Sequence, residues 1–307
     1  MLKTDWKGVF PAITTPFRAD GSVDHEFLSK HCAWLLENGC RGVVALGSLG
    51  EGSTLRWDEK LAALRTVLET LKGKAPTIAG ISSLGTNEAI DLAKAAEQAG
   101  CEGLMVLPPY VYVGDWRETK AYIGAVLRAT PLSAMLYNNP IAYQTDFLAG
   151  QIAELAAEHH NLHAVKESSA DVRRIAALRS LIGDRLQIFC GVDDLIVEAI
   201  YAGATGWIAG LVNAFPRESV ELFELATNGQ TNAAFDLYKW FLPLLRFDVV
   251  PKFVQLIKYT QELVGMGSGR VRAPRLELAE DEKRLVQETV QRALAARPAQ
   301  LAAQGSR

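Results

Sequence analysis

Three stretches of this chain end in residues whose types and spacing can do chemistry. Residues 163–169 read HAVKESS, which sets Lys166 at the end of an apolar run. An ammonium group there is costly to desolvate, and burial favours the free amine that attacks a carbonyl or an imine. A lysine that snorkels from a strand end to solvent explains the same letters. Residues 136–140 read LYNNP and bring up Tyr137, whose phenol can relay the protons that imine formation requires; a satisfied core tyrosine is the plainer reading. Gly47-Ser48-Leu49-Gly50-Glu51 offers consecutive backbone N–H groups and a hydroxyl ahead of a helix, where a carboxylate is stabilised. Glycine-rich turns also serve ordinary geometry.

These residues need a scaffold. Short apolar runs recur at 9–14, 42–45, 77–80, 103–107, 133–137, 162–166, 186–190 and 206–209. Helical patterns lie between them, such as DEKLAALRTVLETLKG, apolar at three-and-four spacing and stopped at Gly73. Alternating strands and helices imply a parallel sheet, and eight units within roughly 225 residues match a (β/α)8 barrel. No GxGxxG follows the first strand, which argues against an open dinucleotide-binding sheet. The reading is therefore an α/β chain: a (β/α)8 TIM barrel over 1–225, then a C-terminal helical extension over 226–307 that packs on the barrel or on another subunit.

Active sites of such barrels lie at the carboxyl ends of the strands. That rule brings Lys166, Tyr137 and Ser48 to one mouth. CGVDD and GATGWIAG, at strands seven and eight, could mimic a phosphate site but lack a nearby basic residue. Trp207 reads as barrel packing. Glu51 and Glu167 could orient loop amides or tune Lys166, and neither receives a catalytic role.

Composition narrows the function class. With 49% hydrophobic and 22% charged residues and a net charge of -3, the chain is a folded protein whose scattered basic residues leave no footprint for nucleic acid or an anionic membrane. A small-molecule substrate is expected. The four cysteines, Cys32, Cys40, Cys101 and Cys190, form no CxxC pair and read as packing in a reducing compartment. MLKTDWKGVF lacks the apolar core of a signal peptide, and no run approaches the roughly 18 residues of a membrane helix. A cytoplasmic location is expected.

With GSLGE, YNNP and VKESS ending strands two, five and six, and TTPF early in the chain, the sequence resembles the dihydrodipicolinate synthase and N-acetylneuraminate lyase family of class I lyases. The resemblance runs from about residue 7 to 295. It implies an enzyme without metal or organic cofactor, assembled as a homotetramer from two tight dimers. It implies that Lys166 forms the imine with a 2-oxo acid or cyclic imine, that Tyr137 relays protons, that Ser48 and the Ser48 and Leu49 amides hold the substrate carboxylate, and that the Ile208 carbonyl lines the pocket.

Departures from the family suggest which member this is. The synthase carries a second threonine in the glycine loop, a relay tyrosine from the partner subunit, and an arginine after strand five that binds the aldehyde substrate's carboxylate. The corresponding residues here are Leu49, Val111 and Ala142. An alanine methyl cannot replace a bidentate guanidinium, which argues against the 4-hydroxy-tetrahydrodipicolinate synthase reaction. Tyr110 or Tyr112 could stand in for the relay tyrosine. Leu84, where lysine-inhibited synthases are polar, argues against feedback by lysine. YNNPIAY and GSGRVRAPRLEL resemble most the 1-pyrroline-4-hydroxy-2-carboxylate deaminases of hydroxyproline breakdown, and a pocket closed by Ile141, Ala142 and Tyr143 suits a compact ring. The alternatives are a 2-keto-3-deoxy sugar acid aldolase or dehydratase, the synthase itself, and a ligand-binding barrel whose chemistry has lapsed.

Overall fold

The computed structural model describes residues 5–110 and 113–298. Eight strands appear at β1 Gly8–Pro11, β2 Val43–Ala45, β3 Thr77–Ile81, β4 Gly103–Val106, β5 Ser133–Asn138, β6 Leu162–Glu167, β7 Gln187–Cys190 and β8 Gly206–Ala209. They pair in parallel, in the order β1-β8-β7-β6-β5-β4-β3-β2. The remaining seam closes where Ala12 bridges Val44 and the Ile13 N–H donates to the Val44 carbonyl at 3.0 Å. The fold is thus a (β/α)8 barrel with additional C-terminal helices.

Parallel barrel strands are covered on one face by helices and filled on the other by one another's side chains, so they read as unbroken apolar runs. Leu104, Met105, Val106, Ala134, Met135 and Leu136 are all buried. β1 is shorter than the apolar run suggests: Ala12 still donates its N–H to the Ala209 carbonyl at 2.9 Å, and it also forms the bridge to Val44 of β2. β5 and β6 each run one residue further than expected, to Asn138 and Glu167.

The covering helices carry the expected stripe. Trp57–Leu71 buries Ala63, Leu64, Val67 and Leu71 at three-and-four spacing. Trp116–Ala129 starts at Asp115, whose carboxylate accepts from the Glu118 N–H at 2.9 Å.

After the last barrel helix, Pro216–Thr227, come the helices Thr231–Leu245, Phe253–Leu263 and Glu280–Ala295. They are tied to the carboxyl-end loops of the barrel: the Tyr238 hydroxyl donates to the Asp194 carbonyl, and Thr14 Oγ1 donates to Gln261 Oε1 at 2.8 Å. The four cysteines are free and buried, and burial pushes their thiols up, as packing residues require. Among the described residues no helix is long and apolar enough to cross a membrane.

Candidate active site

β5 and β6 set the geometry. Tyr137 pairs with Lys166 in the parallel register, so the two side chains leave the same face of adjacent strands, toward the barrel axis. Lys166 is 7% exposed and its Nζ lies 4.0 Å from the Tyr137 ring centroid, so the lysine does not snorkel. Burial lowers its pKa to about 8, against the opposing pull of the Asp248 and Asp193 charges. The stem passes over Gly191, where a Cβ would stand 2.5 Å from Lys166 Cε and 2.0 Å from Ser168 Oγ. A glycine after β7 is therefore a condition for the lysine's position.

The next residues on the two strands face the opposite way and brace the site from behind. Asn138 Nδ2 donates to Glu167 Oε2 at 2.9 Å, Asn138 Oδ1 accepts from the Phe147 N–H at 3.0 Å, and Glu167 Oε1 accepts from the Ser169 N–H at 2.7 Å. Glu167 is spent on this brace.

Tyr137 is buried, and its hydroxyl accepts from Asn139 Nδ2 at 2.9 Å. Burial pushes its pKa up to about 12, moderated by hydrogen bonds with Asn139, Ser168 and Ser48, so the phenol keeps its proton at neutral pH. Ser48 in turn hydrogen-bonds the Tyr143 hydroxyl. Tyr143 arrives on the single helical turn Pro140–Tyr143, started by the proline and by Asn139 Oδ1, which accepts the Ala142 N–H at 3.0 Å. Its ring stands edge-on to Tyr137 with centroids 5.8 Å apart. The hydroxyls of Tyr137, Ser48 and Tyr143 thus gather at one place, with Ser48 and Tyr143 joined directly and Ser48 near enough to Tyr137 to favour its ionised form.

Tyr110 and Tyr112 are the residues that could stand in for the relay tyrosine. The Tyr110 hydroxyl accepts from Ser82 Oγ at 3.2 Å and its ring leans on Tyr143, while Val111 and Tyr112 lie outside the described residues. Of the three residues expected to close the pocket, Ile141 and Ala142 are exposed and only Tyr143 turns in. Asn139 and Pro140 carried the signal for this turn, since a cap followed by proline delivers the residue four positions after the cap to the strand mouth.

In the glycine loop the Leu49 side chain is buried. Among the described residues neither the Ser48 nor the Leu49 N–H donates to another group of the chain. The loop is pinned by Thr15 Oγ1, which donates to the Gly50 carbonyl at 2.6 Å, and by Glu51. Glu51 is fully buried; Lys258 Nζ donates to its Oε1 at 2.8 Å and the Arg272 N–H to its Oε2 at 3.0 Å. Ile208 stands one residue past the last β7–β8 pair, at the mouth end of β8.

A model of the dihydrodipicolinate synthetase family matches residues 5–293. The chain belongs to this family. It is 30% identical over 282 residues to the 4-hydroxy-tetrahydrodipicolinate synthase of Desulforamulus reducens, covering 92% of this chain and 95% of that protein. It is 30% identical over 283 residues to the synthase of Methanocaldococcus jannaschii, with 92% and 96% covered. Among solved structures, the 4-hydroxy-tetrahydrodipicolinate synthase of Methylacidiphilum fumariolicum superposes with a TM-score of 0.91 at 26% identity, covering 94% of this chain and 96% of that one. YagE of E. coli K12, a family protein solved in complex with pyruvate, gives 0.89 at 26% identity, with 95% and 99% covered. The chain is an enzyme, a class I lyase of this family.

Two acids lie close enough to Lys166 to act on its charge, and strand-end reasoning reaches neither role. Asp193, in CGVDD, is fully buried and accepts from Trp207 Nε1 at 2.9 Å, the Gly210 N–H at 3.1 Å and the Leu211 N–H at 2.8 Å. The loop suspected of mimicking a phosphate site thus carries an anion that grips the β8 amides, and Trp207 packs while also donating to it. Burial raises Asp193 to about 6, opposed by these donors. Asp248 comes from the turn Arg246–Asp248 in the extension, and its Oδ1 is buried without a hydrogen-bond partner. No rule about strand ends reaches a residue in that extension.

Proposed function

We propose that this lyase forms its Schiff base through Lys166 with a small 2-oxo acid or cyclic imine carboxylate, and that its substrate is 1-pyrroline-4-hydroxy-2-carboxylate, which it deaminates to 2-oxoglutarate semialdehyde. The observation that carries the reading is the buried lysine in register with Tyr137, with its amine over the phenol ring. The unspent Ser48 and Leu49 amides supply a carboxylate site beside it. Ala142, at the place where the synthase has its carboxylate-binding arginine, is exposed on the turn after β5 and brings no guanidinium to the mouth.

In this reading the Lys166 amine adds to the ring C=N, and the ring nitrogen takes one lysine proton through Tyr137 and a second from solvent as the C–N bond opens, leaving a protonated imine on Lys166. The resulting imine acidifies C3, whose proton leaves through the gathered hydroxyls to give an enamine. The enamine expels the C4 hydroxyl as water. Isomerisation places the new double bond at the terminal amine, and hydrolysis of the two imines releases ammonia, the semialdehyde and the lysine. A second reading rests on the names of the relatives: condensation of pyruvate with an aldehyde, which needs the same imine.

The deciding assay runs the purified enzyme on the pyrroline, on pyruvate plus aspartate semialdehyde, and on a panel of 2-keto-3-deoxy acids. Ammonia and semialdehyde from the pyrroline alone support the deaminase. Turnover of another substrate with none of the pyrroline refutes it. Borohydride trapping with pyruvate tests the lysine itself. At pH 7 a pKa of about 8 leaves about 9% free amine against about 0.03% for an unperturbed lysine, a gain of about 300-fold. The adduct rate should rise about tenfold from pH 6 to 7, flatten above pH 8 and vanish in Lys166→Ala. A rise that continues past pH 10 would show an unperturbed amine.

A further inference from the structure

We infer that Asp248 is a further catalytic residue, whose carboxyl group gives its proton to the hydroxyl leaving the substrate's C4 across the pocket from Lys166. The inference deepens the proposed function and rests on its elimination step.

The geometry begins at Gly210, just past β8. A Cβ placed there would stand 1.9 Å from Asp248 Oδ1, so the carboxyl group lies directly over the glycine's Cα. Its Oδ1 is sealed from solvent and has no donor, although the residue as a whole is half-buried. An unpartnered buried carboxyl oxygen costs free energy unless something arrives to use it. Around Asp248 stand Lys166 from β6, Tyr137 from β5, and Asp193 and Asp194 from the loop after β7, with Arg246 held by Asp194. When ionised, Asp248 acts on the Lys166 charge more than any other group does, yet among the described residues neither an ion pair nor a hydrogen bond joins them.

The neighbouring acid shows why Asp248 is the one that carries a proton. Asp193 accepts three N–H groups, which favour its anion. Asp248 has none, is desolvated and faces Asp193, so its pKa is raised well above the carboxylate range. Two carboxyl groups pushed apart in this way divide into an anion and an acid. In the elimination, the enamine's electron pair forms C3=C4 as C4–O breaks. The departing oxygen takes the Asp248 proton and leaves as water. A neutral enamine and a neutral acid become an iminium cation and a carboxylate that attract one another, and solvent returns the proton before the next turnover.

Two variants test this. Asp248→Asn keeps the shape without the proton, and Gly210→Ala pushes an intact carboxyl aside. Three quantities are measured: the borohydride-trapped pyruvate adduct, exchange of pyruvate's methyl hydrogens in D₂O, and loss of the substrate hydroxyl during turnover. Measured at about pH 9, where Lys166 is already largely the free amine, adduct and exchange should stay within about threefold of wild type, which also reports a folded pocket, while elimination falls roughly 10²–10⁴-fold in Asp248→Asn and in the same direction in Gly210→Ala. Elimination retained within about threefold in Asp248→Asn, or adduct lost in proportion to elimination, would overturn the inference. A wild-type enzyme silent on the pyrroline but able to dehydrate a 2-keto-3-deoxy acid refutes the substrate, and Asp248 is then decided on that acid. A wild-type enzyme that eliminates hydroxyl from neither overturns both.

Discussion

The buried pair Glu51–Lys258 offers the most quantitative test of how the mouth is held. Glu51 sits in the left-handed region at φ 52° on the substrate loop, and its side chain is 0% exposed; that of Lys258 is 2% exposed. At 2.8 Å, with an effective dielectric constant near 20, their attraction is about 6 kcal/mol before desolvation. Burial nevertheless lowers the Lys258 pKa even with Glu51 beside it, so desolvation outweighs the attraction. The pair as a unit should therefore contribute little to stability, while either member left alone should cost about 3–5 kcal/mol. We expect Glu51→Gln and Lys258→Met each to lose about that much, and the double variant to lose no more than the worse single. The assay is denaturant unfolding at pH 7.5 over the full cycle. Losses that add within about 0.5 kcal/mol, or single losses below about 1 kcal/mol, would refute the coupling. Because the same carboxylate also accepts the Arg272 N–H, Glu51→Gln should raise KM for pyruvate more than it lowers the limiting adduct rate.

Two further outcomes follow from individual side chains. Tyr137→Phe should lower turnover roughly 10²–10⁴-fold, and Tyr143→Phe at least about tenfold, with the pyruvate adduct still forming slowly; kcat from steady-state kinetics checks this, and an unaffected Tyr143→Phe would remove that residue from the relay. Burial depresses the His31 pKa from 6.5 to about 4, against the Asn213 carbonyl 3.0 Å away. Above pH 6.5 neither state binds the proton; below it only the unfolded chain does, so stability falls by about 1.4 kcal/mol per pH unit until about pH 4. The loss of about 2 kcal/mol between pH 7 and 5 should be absent in His31→Gln, measured by unfolding at the two pH values, and an equal loss in the variant would place the acid sensitivity elsewhere.

What the letters of this chain disclose follows from the distance over which each signal acts. The strands are local: apolar runs bounded by helical periodicity locate all eight, and strand-end logic brings Lys166 and Tyr137 together because β5 and β6 pair in register, with Ser48 at the same end from the loop after β2. Tyr143 was in view as a lid residue, yet its hydrogen bond to Ser48 depends on a single turn of helix set by Asn139 and Pro140. Asp193 was seen as part of a loop, and its partners are backbone amides of the following strand's loop, which no residue type announces. Asp248 lay beyond such reasoning, since only the packing of the extension over Gly210 carries it to Lys166.

That packing changes what the extension is for. A barrel of apolar strands can bury one lysine at a strand end, but it has few places to set charges around that lysine without spending them on loop amides, as it spends Asp193. The extension supplies them from outside the barrel's own repeat. Its turn Arg246–Asp248 puts an unpaired carboxyl over β8, and its next helix, Phe253–Leu263, sends Lys258 to Glu51 and the Thr15 carbonyl beneath the substrate loop. The tail before the last helix adds Arg272, which donates to Glu51 through its backbone and to Glu59 through its guanidinium at 2.7 Å. The β2 loop is thus held, and the β8 loop overlain, by residues of one helical unit. A displacement of that unit would move the Ser48–Leu49 loop and the Asp248 carboxyl together, which under the proposed mechanism shifts the carboxylate site and the proton donor at once.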